Sequence, residues 1–134
     1  RAGGTATTPT SPRLDDLPAL VEGMRAAGAD IAFTTSGSLD TLPITAALTV
    51  YRVVQEGLTN AVRHGVGTIH LDIECDAAEV RVGLRNDRRR RSDPTSSGSG
   101  VVVMRERVEA VGGSLAVGPT RGGDGWALQA RIPA

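Results

Sequence analysis

Apolar residues recur every three or four positions between residues 42 and 64, and this spacing predicts one long amphipathic helix. Pro43 suits the first turn of such a helix, because its fixed backbone angle and missing N–H cost nothing there. Gly65 is a natural end for it. We expect its buried face to contain Ala47, Val50, Val54, Leu58, Ala61 and Val62.

The remaining apolar pattern predicts two short helices and five strands. The first helix follows Asp15 or Asp16, either of which can cap it, and ends near Gly28. The second spans about residues 101–111, before Gly112 and Gly113. Strands are predicted at residues 31–33, 69–75, 80–84, 114–117 and 126–132. This order predicts an α+β two-layer sandwich, with three helices covering one face of a mixed, mostly antiparallel sheet of about five strands.

Two segments lack any periodic pattern. Residues 1–13 are rich in Gly, Thr and Pro, so we expect a flexible linker or tail there, followed by one domain at residues 14–134. Residues 86–100 contain no apolar residue and are rich in Arg, Ser and Gly, which predicts a mobile loop. Loops of this length in a compact domain are often functional lids.

Composition and charge exclude several classes of protein. With 134 residues, 40% of them hydrophobic, the chain can bury one ordinary core. Its 15 basic and 15 acidic residues cancel, so no global field favours nucleic acid or an acidic membrane. The single Cys75 excludes a disulfide framework and indicates a reducing compartment. His64 and His70 lack companions for a zinc site.

The ends and the hydropathy of the chain bear on location. No apolar run reaches the length of a membrane span, and no signal peptide opens the chain, so we expect a cytoplasmic location. Because the chain begins with Arg, we expect it to be a segment of a longer protein. The chain contains no Lys, so all 15 of its basic residues other than His are Arg, a composition typical of GC-rich bacterial genomes.

Polar residues of the long helix share one stripe. Arg52, Glu56, Asn60 and either Arg63 or His64 follow one another at intervals of three or four residues. A carboxylate, a carboxamide and basic groups in a row suit a magnesium-bound polyphosphate. The alternative interpretation is an ordinary solvated face of an amphipathic helix.

A second candidate site lies at the end of the polar loop. Gly98-Ser99-Gly100 directly precedes a predicted helix, where backbone N–H groups and the helix dipole can hold phosphate. The segment matches neither a Walker motif nor a dinucleotide-binding fingerprint. The arginines at 88–91 have no interleaved aromatic residues, so we expect a solvated lid and no nucleic-acid surface.

Three motifs in order resemble one family. They are Tyr51-Arg-Val-Val-Gln-Glu-Gly-Leu-Thr-Asn-Ala-Val-Arg-His64, Met104-Arg-Glu-Arg-Val108 and Gly112-Gly113. Together they resemble the ATP-binding domain of sensor histidine kinases, within the GHKL ATPase superfamily (the Bergerat fold), and more narrowly the subclass paired with LuxR-type response regulators. The resemblance covers about residues 14–134. It implies transfer of the ATP γ-phosphoryl group to a His on a separate dimerisation helix.

The resemblance also implies roles for particular residues. Asn60 is the expected Mg²⁺ ligand, and Glu56 the catalytic residue that polarises the phosphoacceptor or a water molecule. Asn86, or Asp87 if the register shifts by one, is the expected contact of the adenine amino group. The other expected nucleotide-binding residues are Arg63 and His64, then Gly98, Ser99, Gly100 and Val101 at the end of the lid, and Gly122, Gly123 and Gly125 in the last glycine turn.

The sequence departs from the family pattern at three places. The family usually has Asp-x-Gly-x-Gly after a strand, whereas here Asn86 takes the Asp position and Arg88 the first Gly position. The lid carries four consecutive arginines. Val103 stands where the subclass commonly has Gly. A neutral Asn86 loses the charge-assisted part of its hydrogen bond, roughly 1 kcal/mol.

Partners follow from the same resemblance. We expect a phosphoacceptor and dimerisation helix of the same full-length protein, a response regulator, and no nucleic acid. Since neither His resembles a phosphoacceptor, the isolated segment should show little autophosphorylation. We expect it to be monomeric and to bind Mg²⁺ and ATP. The full-length protein is either free in the cytoplasm or anchored in the inner membrane. The alternatives are a degenerate regulatory module and an anti-sigma-type serine kinase, and the Met104–Val108 motif favours a sensor kinase over the latter.

Overall fold

Three helices and five strands follow one another in a computed structural model that describes residues 16–37, 42–89, 99–120 and 125–134. The predicted tail at residues 1–13 lies outside the described residues. The elements are α1 (Leu17–Ala26), β1 (Ile31–Ser36), α2 (Ile44–His64), β2 (Gly65–Cys75), β3 (Glu79–Arg89), α3 (Ser99–Ala110), β4 (Ser114–Pro119) and β5 (Trp126–Pro133).

The five strands form one sheet in the order β1-β2-β3-β5-β4. β1 and β2 are parallel, because α2 connects them as a crossover, and the other three pairs are antiparallel. Leu71, Leu84 and Leu128 lie side by side across the three central strands. The predicted mixed, mostly antiparallel sheet is therefore confirmed.

The core lies between one face of the sheet and the helices. Side chains alternate along β3, so that Val80, Val82 and Leu84 are at most 2% exposed, whereas Arg81 and Arg85 lie on the opposite face. α2 packs across β2, β3 and β5, with α1 and α3 beside it. Three helices covering one face of the sheet confirm the predicted α+β sandwich.

The buried stripe of α2 differs from the predicted one at its end. Val50, Val54, Leu58 and Ala61 are buried as expected, but Val62 is 43% exposed and that prediction is wrong. Val53 and Gly57 are buried as well. At Gly57 an added Cβ would lie 3.2 Å from Leu84 Cδ1, so the missing side chain lets α2 approach the sheet closely.

Several element boundaries differ from the prediction. The long helix begins at Ile44, because Pro43 is extended with ψ 149° and precedes the helix. The predicted loop at 86–100 is wrong for residues 86–89, where backbone pairing with β2 and β5 continues the strand through Arg89. Pairing with neighbouring strands overrides the polar composition of this segment.

The caps of the short helices are made mainly by the backbone. Asp16 precedes α1, but its side chain makes no capping hydrogen bond. At the end of α3 the Gly113 N–H donates to Val108 O at 2.9 Å and the Gly112 N–H to Glu109 O at 3.0 Å, with Gly112 at φ +83°. This is a Schellman motif, and it fixes where α3 turns into β4.

The turn between β2 and β3 is organised by one carboxylate. Asp76 Oδ1 accepts hydrogen bonds from the N–H groups of Ala78 at 2.8 Å and Glu79 at 3.0 Å, and its Oδ2 accepts one from Arg81 at 2.9 Å. The bond from Ala78, followed by those from Arg81 and Glu79, lowers the pKa of Asp76 to about 2. This hairpin lies at the opposite end of the sheet from the end of α2.

Among the helices that the structure describes, none combines the length and the apolar character that a membrane span requires.

Candidate functional site

Exposure along the polar stripe of α2 decreases from Arg52 to Asn60. Arg52 is exposed and donates to Gln55 at 3.1 Å, Glu56 is half-buried, and Asn60 is only 8% exposed. Within the described residues, the side chains of Glu56 and Asn60 make no hydrogen bond or ion pair. Asn60 is thus the most buried of these three residues, although its amide atoms are not among the fully buried atoms that lack a partner.

The end of α2 lies against β3 through a glycine. Gly65 follows directly after His64 and begins β2, and a Cβ added there would overlap the carboxamide of Asn86. Asn60 lies five residues before Gly65, about 7.5 Å along the helix axis. The two carboxamides therefore face the same end of the helical layer. Sequence analysis identified Gly65 only as a helix end and missed this contact.

Asn86 is the most deeply buried polar side chain of the site. It is 1% exposed, and its register partners are Ile69 on β2 and Trp126 on β5. Its Oδ1 has no hydrogen-bond partner among the residues that the structure describes. A buried acceptor in this condition costs about 1–3 kcal/mol, so Asn86 Oδ1 marks a point where a donor from a ligand would be stabilising.

Asp87 points to the other face of the sheet, since successive strand residues alternate. It is exposed, accepts a hydrogen bond from Arg85 Nη1 at 2.9 Å, and lies 3.5 Å from His70 Nε2. Of the two residues that the sequence left open for the adenine contact, only Asn86 faces the helices and Gly65.

Thr120 and Gly125 lie on the other side of Asn86 and are hydrogen-bonded to each other. The Gly125 N–H donates to Thr120 Oγ1 at 2.9 Å, and the Thr120 N–H donates to Gly125 O at 3.1 Å. A Cβ at Gly125 would overlap the carbonyl oxygen of Asn86. Thr120 was not predicted, although a Thr just before a glycine-rich turn is a recognisable turn signal.

The remaining predicted site residues are placed less completely. Arg63 is exposed and His64 half-buried in the last turn of α2, and Val101 is half-buried in the first turn of α3. Ser99 and Gly100 begin α3, whereas Gly98, Gly122 and Gly123 lie outside the described residues.

The direction of α3 follows from its end. Gly113 approaches the carbonyl of Arg131, at the end of the sheet opposite Asn86. The first turn of α3 lies about 18 Å from that end along the helix axis. The last turn of α3 therefore lies at the end of the sheet opposite Asn86, and its first turn lies away from that contact.

The donor set of α2 suits a hard cation. Asn60 offers a carboxamide oxygen, which suits Mg²⁺ when phosphate and water supply the other ligands, and the Glu56 carboxylate lies one helical turn away. Across the described ranges no group of three His, Cys, Asp or Glu side chains could hold a metal by itself. The residues present thus fit a magnesium ion bound together with a polyphosphate.

Comparison with known proteins finds sequence and structural similarity to histidine kinases. No protein-family model matches the chain. The chain is 29% identical over 108 residues to the sensor histidine kinase LnrJ of Bacillus subtilis, a match that covers 73% of the chain. It spans only 26% of the length of that relative.

Solved structures show the same fold. The histidine kinase domain of the blue-light activated histidine kinase from Erythrobacter litoralis EL346 superposes with a TM-score of 0.66 at 23% identity, covering 97% of this chain and 70% of that one. Full-length ShkA in complex with AMPPNP superposes with a TM-score of 0.67 at 19% identity, covering 98% of this chain and 32% of that one. The chain therefore has the fold of histidine kinase catalytic domains.

Proposed function

We propose that this chain is the ATP- and Mg²⁺-binding catalytic domain of a two-component sensor histidine kinase, which transfers the γ-phosphoryl group to a His on a separate dimerisation helix. The observation that supports it most is the pair of buried carboxamides, Asn60 and Asn86, at the same end of the helical layer. A fully buried polar atom without a hydrogen-bond partner among the described residues, such as Asn86 Oδ1, is rare in an ordinary core.

The two carboxamides would bind opposite ends of the nucleotide. Asn86 Oδ1 would accept a hydrogen bond from the adenine amino group, between Gly65 and the Thr120–Gly125 turn. Asn60 would hold Mg²⁺, whose chemistry when bound is to neutralise phosphate charge. Arg63, His64 and the first turn of α3, including Ser99, Gly100 and Val101, would lie along the phosphates. The glycines at 98 and 123 complete the proposed set.

Glu56 would act on the incoming nucleophile. Its half-buried carboxylate lies one helical turn from Asn60 and forms no ion pair with any described residue, so it can accept a hydrogen bond from an acceptor imidazole N–H. Such a bond would orient the other ring nitrogen of the histidine for in-line attack on the γ-phosphorus. The Glu56 carboxylate would take the N–H proton as the phosphoryl group transfers and ADP leaves. Positioning and charge neutralisation supply the rest of the catalysis.

The partners belong to the same proposal. They are a dimerisation helix of the full-length protein that carries the phosphoacceptor His, and a response regulator of the LuxR-type subclass. The domain would work in the cytoplasm, with the full-length protein free or anchored in the inner membrane. LnrJ, which is named a sensor histidine kinase, supports the sensor-kinase part of this proposal.

Two features favour a second candidate, a regulatory module that binds nucleotide without turnover. Asn86 is neutral at the point where a carboxylate would bind the adenine amino group more strongly. Val103, which is 50% exposed in the first half of α3, adds a branched side chain where the family commonly has Gly.

Binding measured with and without metal tests the proposal. We would titrate the chain with AMPPNP by calorimetry, with Mg²⁺ or with EDTA, using wild type, Asn60→Ala and a control, Gln55→Ala, on the same helix. Wild type and Gln55→Ala should bind at least about tenfold more tightly with Mg²⁺, and Asn60→Ala should lose this difference. A magnesium response unchanged in Asn60→Ala would remove Asn60 from the site. No binding of wild type at millimolar nucleotide would overturn the proposal.

A further inference from the structure

The group buried beside Gly65 is a carboxamide, and it differs from a carboxylate in its hydrogen-bonding capacity. Asn86 is 1% exposed, and within the described part of the chain its Oδ1 has no hydrogen-bond partner. A carboxylate offers only acceptors, whereas a carboxamide carries one acceptor oxygen and an NH₂ donor. A ligand next to this side chain can therefore donate a hydrogen bond to its oxygen or accept one from its NH₂ group.

The side chains beside Asn86 on this face of the sheet carry no charge. Its cross-strand neighbours on this face are Ile69 and Trp126, and neither carries a charge. Gly65 contributes no side chain beside the amide. The nearest charged residues in β3, Arg85 and Asp87, pair with each other on the opposite face. Turning the amide by about 180° exchanges the acceptor for the donor without moving a charge.

We infer that Asn86 lets this site bind 6-oxo purine nucleoside triphosphates as well as 6-amino ones. The inference rests on the proposed function, since it places position 6 of the purine beside Asn86. In one amide orientation Oδ1 accepts from a 6-amino group. In the other the NH₂ group donates to a 6-oxo group. A carboxylate in the same place would face the 6-oxo oxygen with a second acceptor and reject it.

The test uses three triphosphates that differ at position 6: ATP, ITP and purine riboside triphosphate, which has no group there. Binding with Mg²⁺ is measured for wild type, Asn86→Asp and Asn86→Ala. Wild type should bind ATP and ITP with Kd values within about tenfold of each other, because each forms one neutral hydrogen bond. Asn86→Asp should raise the preference for ATP over ITP by at least about tenfold.

Asn86→Ala keeps the test decisive if the aspartate variant does not fold. It should weaken ATP and ITP by similar factors, about tenfold each, and leave purine riboside triphosphate unchanged. An equal loss for all three ligands would show a structural role only and overturn the inference. A wild-type preference for ATP over ITP above about a hundredfold would also overturn it.

The two proposals fail in different ways. If wild type binds ATP but rejects ITP, the inference is wrong and the proposed function stands. If wild type binds none of the three nucleotides, the proposed function is wrong and the inference fails with it.

Discussion

The backbone of Gly65 lies against the carboxamide of Asn86, so closely that any Cβ at position 65 would overlap the amide. The contact joins the end of α2 to β3, the central strand of the sheet. Between them β2 is irregular, with a register shift between Val66 and Ile69 and Gly67 at φ +87°. This bulge separates Gly65 from the regular part of the ladder, and bulges often occur next to functional sites.

Gly65→Ala should destabilise the fold and disturb the site together. Forcing a methyl group into the Asn86 carboxamide should lower the free energy of unfolding by about 2 kcal/mol, the usual cost of overpacking. Urea denaturation measures it. Gly118→Ala is the matched control, because an added Cβ there meets nothing within 4 Å. If the two variants were equally stable, the Gly65–Asn86 contact would be refuted.

Leu58→Ala and Val62→Ala, four residues apart on α2, should differ sharply. Leu58 is fully buried, and its truncation should cost about 3 kcal/mol through lost burial and a cavity. Val62 is 43% exposed, and its truncation should change stability by less than about 0.5 kcal/mol. Thermal and urea unfolding measure both. Equal losses of unfolding free energy would show that Val62 belongs to the core, as the sequence pattern predicted.

The Asp76 turn should make stability depend on acid pH. Because folding lowers the pKa of Asp76 to about 2, the carboxylate stabilises the fold above its unfolded pKa. That stabilisation should be complete above about pH 4 and disappear as pH falls through the folded value. The difference in unfolding free energy between wild type and Asp76→Ala should shrink over this range.

Asp76→Asn is the control for that measurement. Its amide oxygen can still accept the backbone N–H bonds from Ala78 and Glu79, but the side chain does not titrate. The difference between Asp76→Asn and Asp76→Ala should therefore stay constant from pH 5 to about pH 2. A constant difference for wild type as well would show that the lowered pKa of Asp76 does not contribute.

Glu56→Gln should separate chemistry from binding if Glu56 acts on the nucleophile. Phosphorylation of a histidine-bearing dimerisation helix supplied in trans should slow by about a hundredfold or more, while the Kd for ATP changes by less than about threefold. Phosphohistidine formation and calorimetry measure the two quantities. Glu109→Gln, an exposed carboxylate on α3, should change neither. An unchanged rate in Glu56→Gln would remove Glu56 from a catalytic role.

Local patterns predicted most of the elements, and they failed where distant segments meet. The helical stripe through Val50, Val54 and Leu58 was readable because a period of 3.6 residues is set by local geometry. The strand at residues 86–89 could not be predicted from its polar side chains. Its backbone pairs with β2 and, at Asn86, also with β5. Val62 was misplaced because the edge of a buried stripe depends on what packs against it.

By itself the sequence determined the order of helices and strands and the polar stripe of α2, since each follows from residue periods and turn chemistry along a continuous stretch of chain. Only the tertiary structure decided that Asn86 faces the helices while Asp87 faces away, and that Gly65 and Gly125 both lie against Asn86. The physical reason is strand register, because one residue of slip would exchange the two faces. That register is set by packing between segments that no local pattern connects.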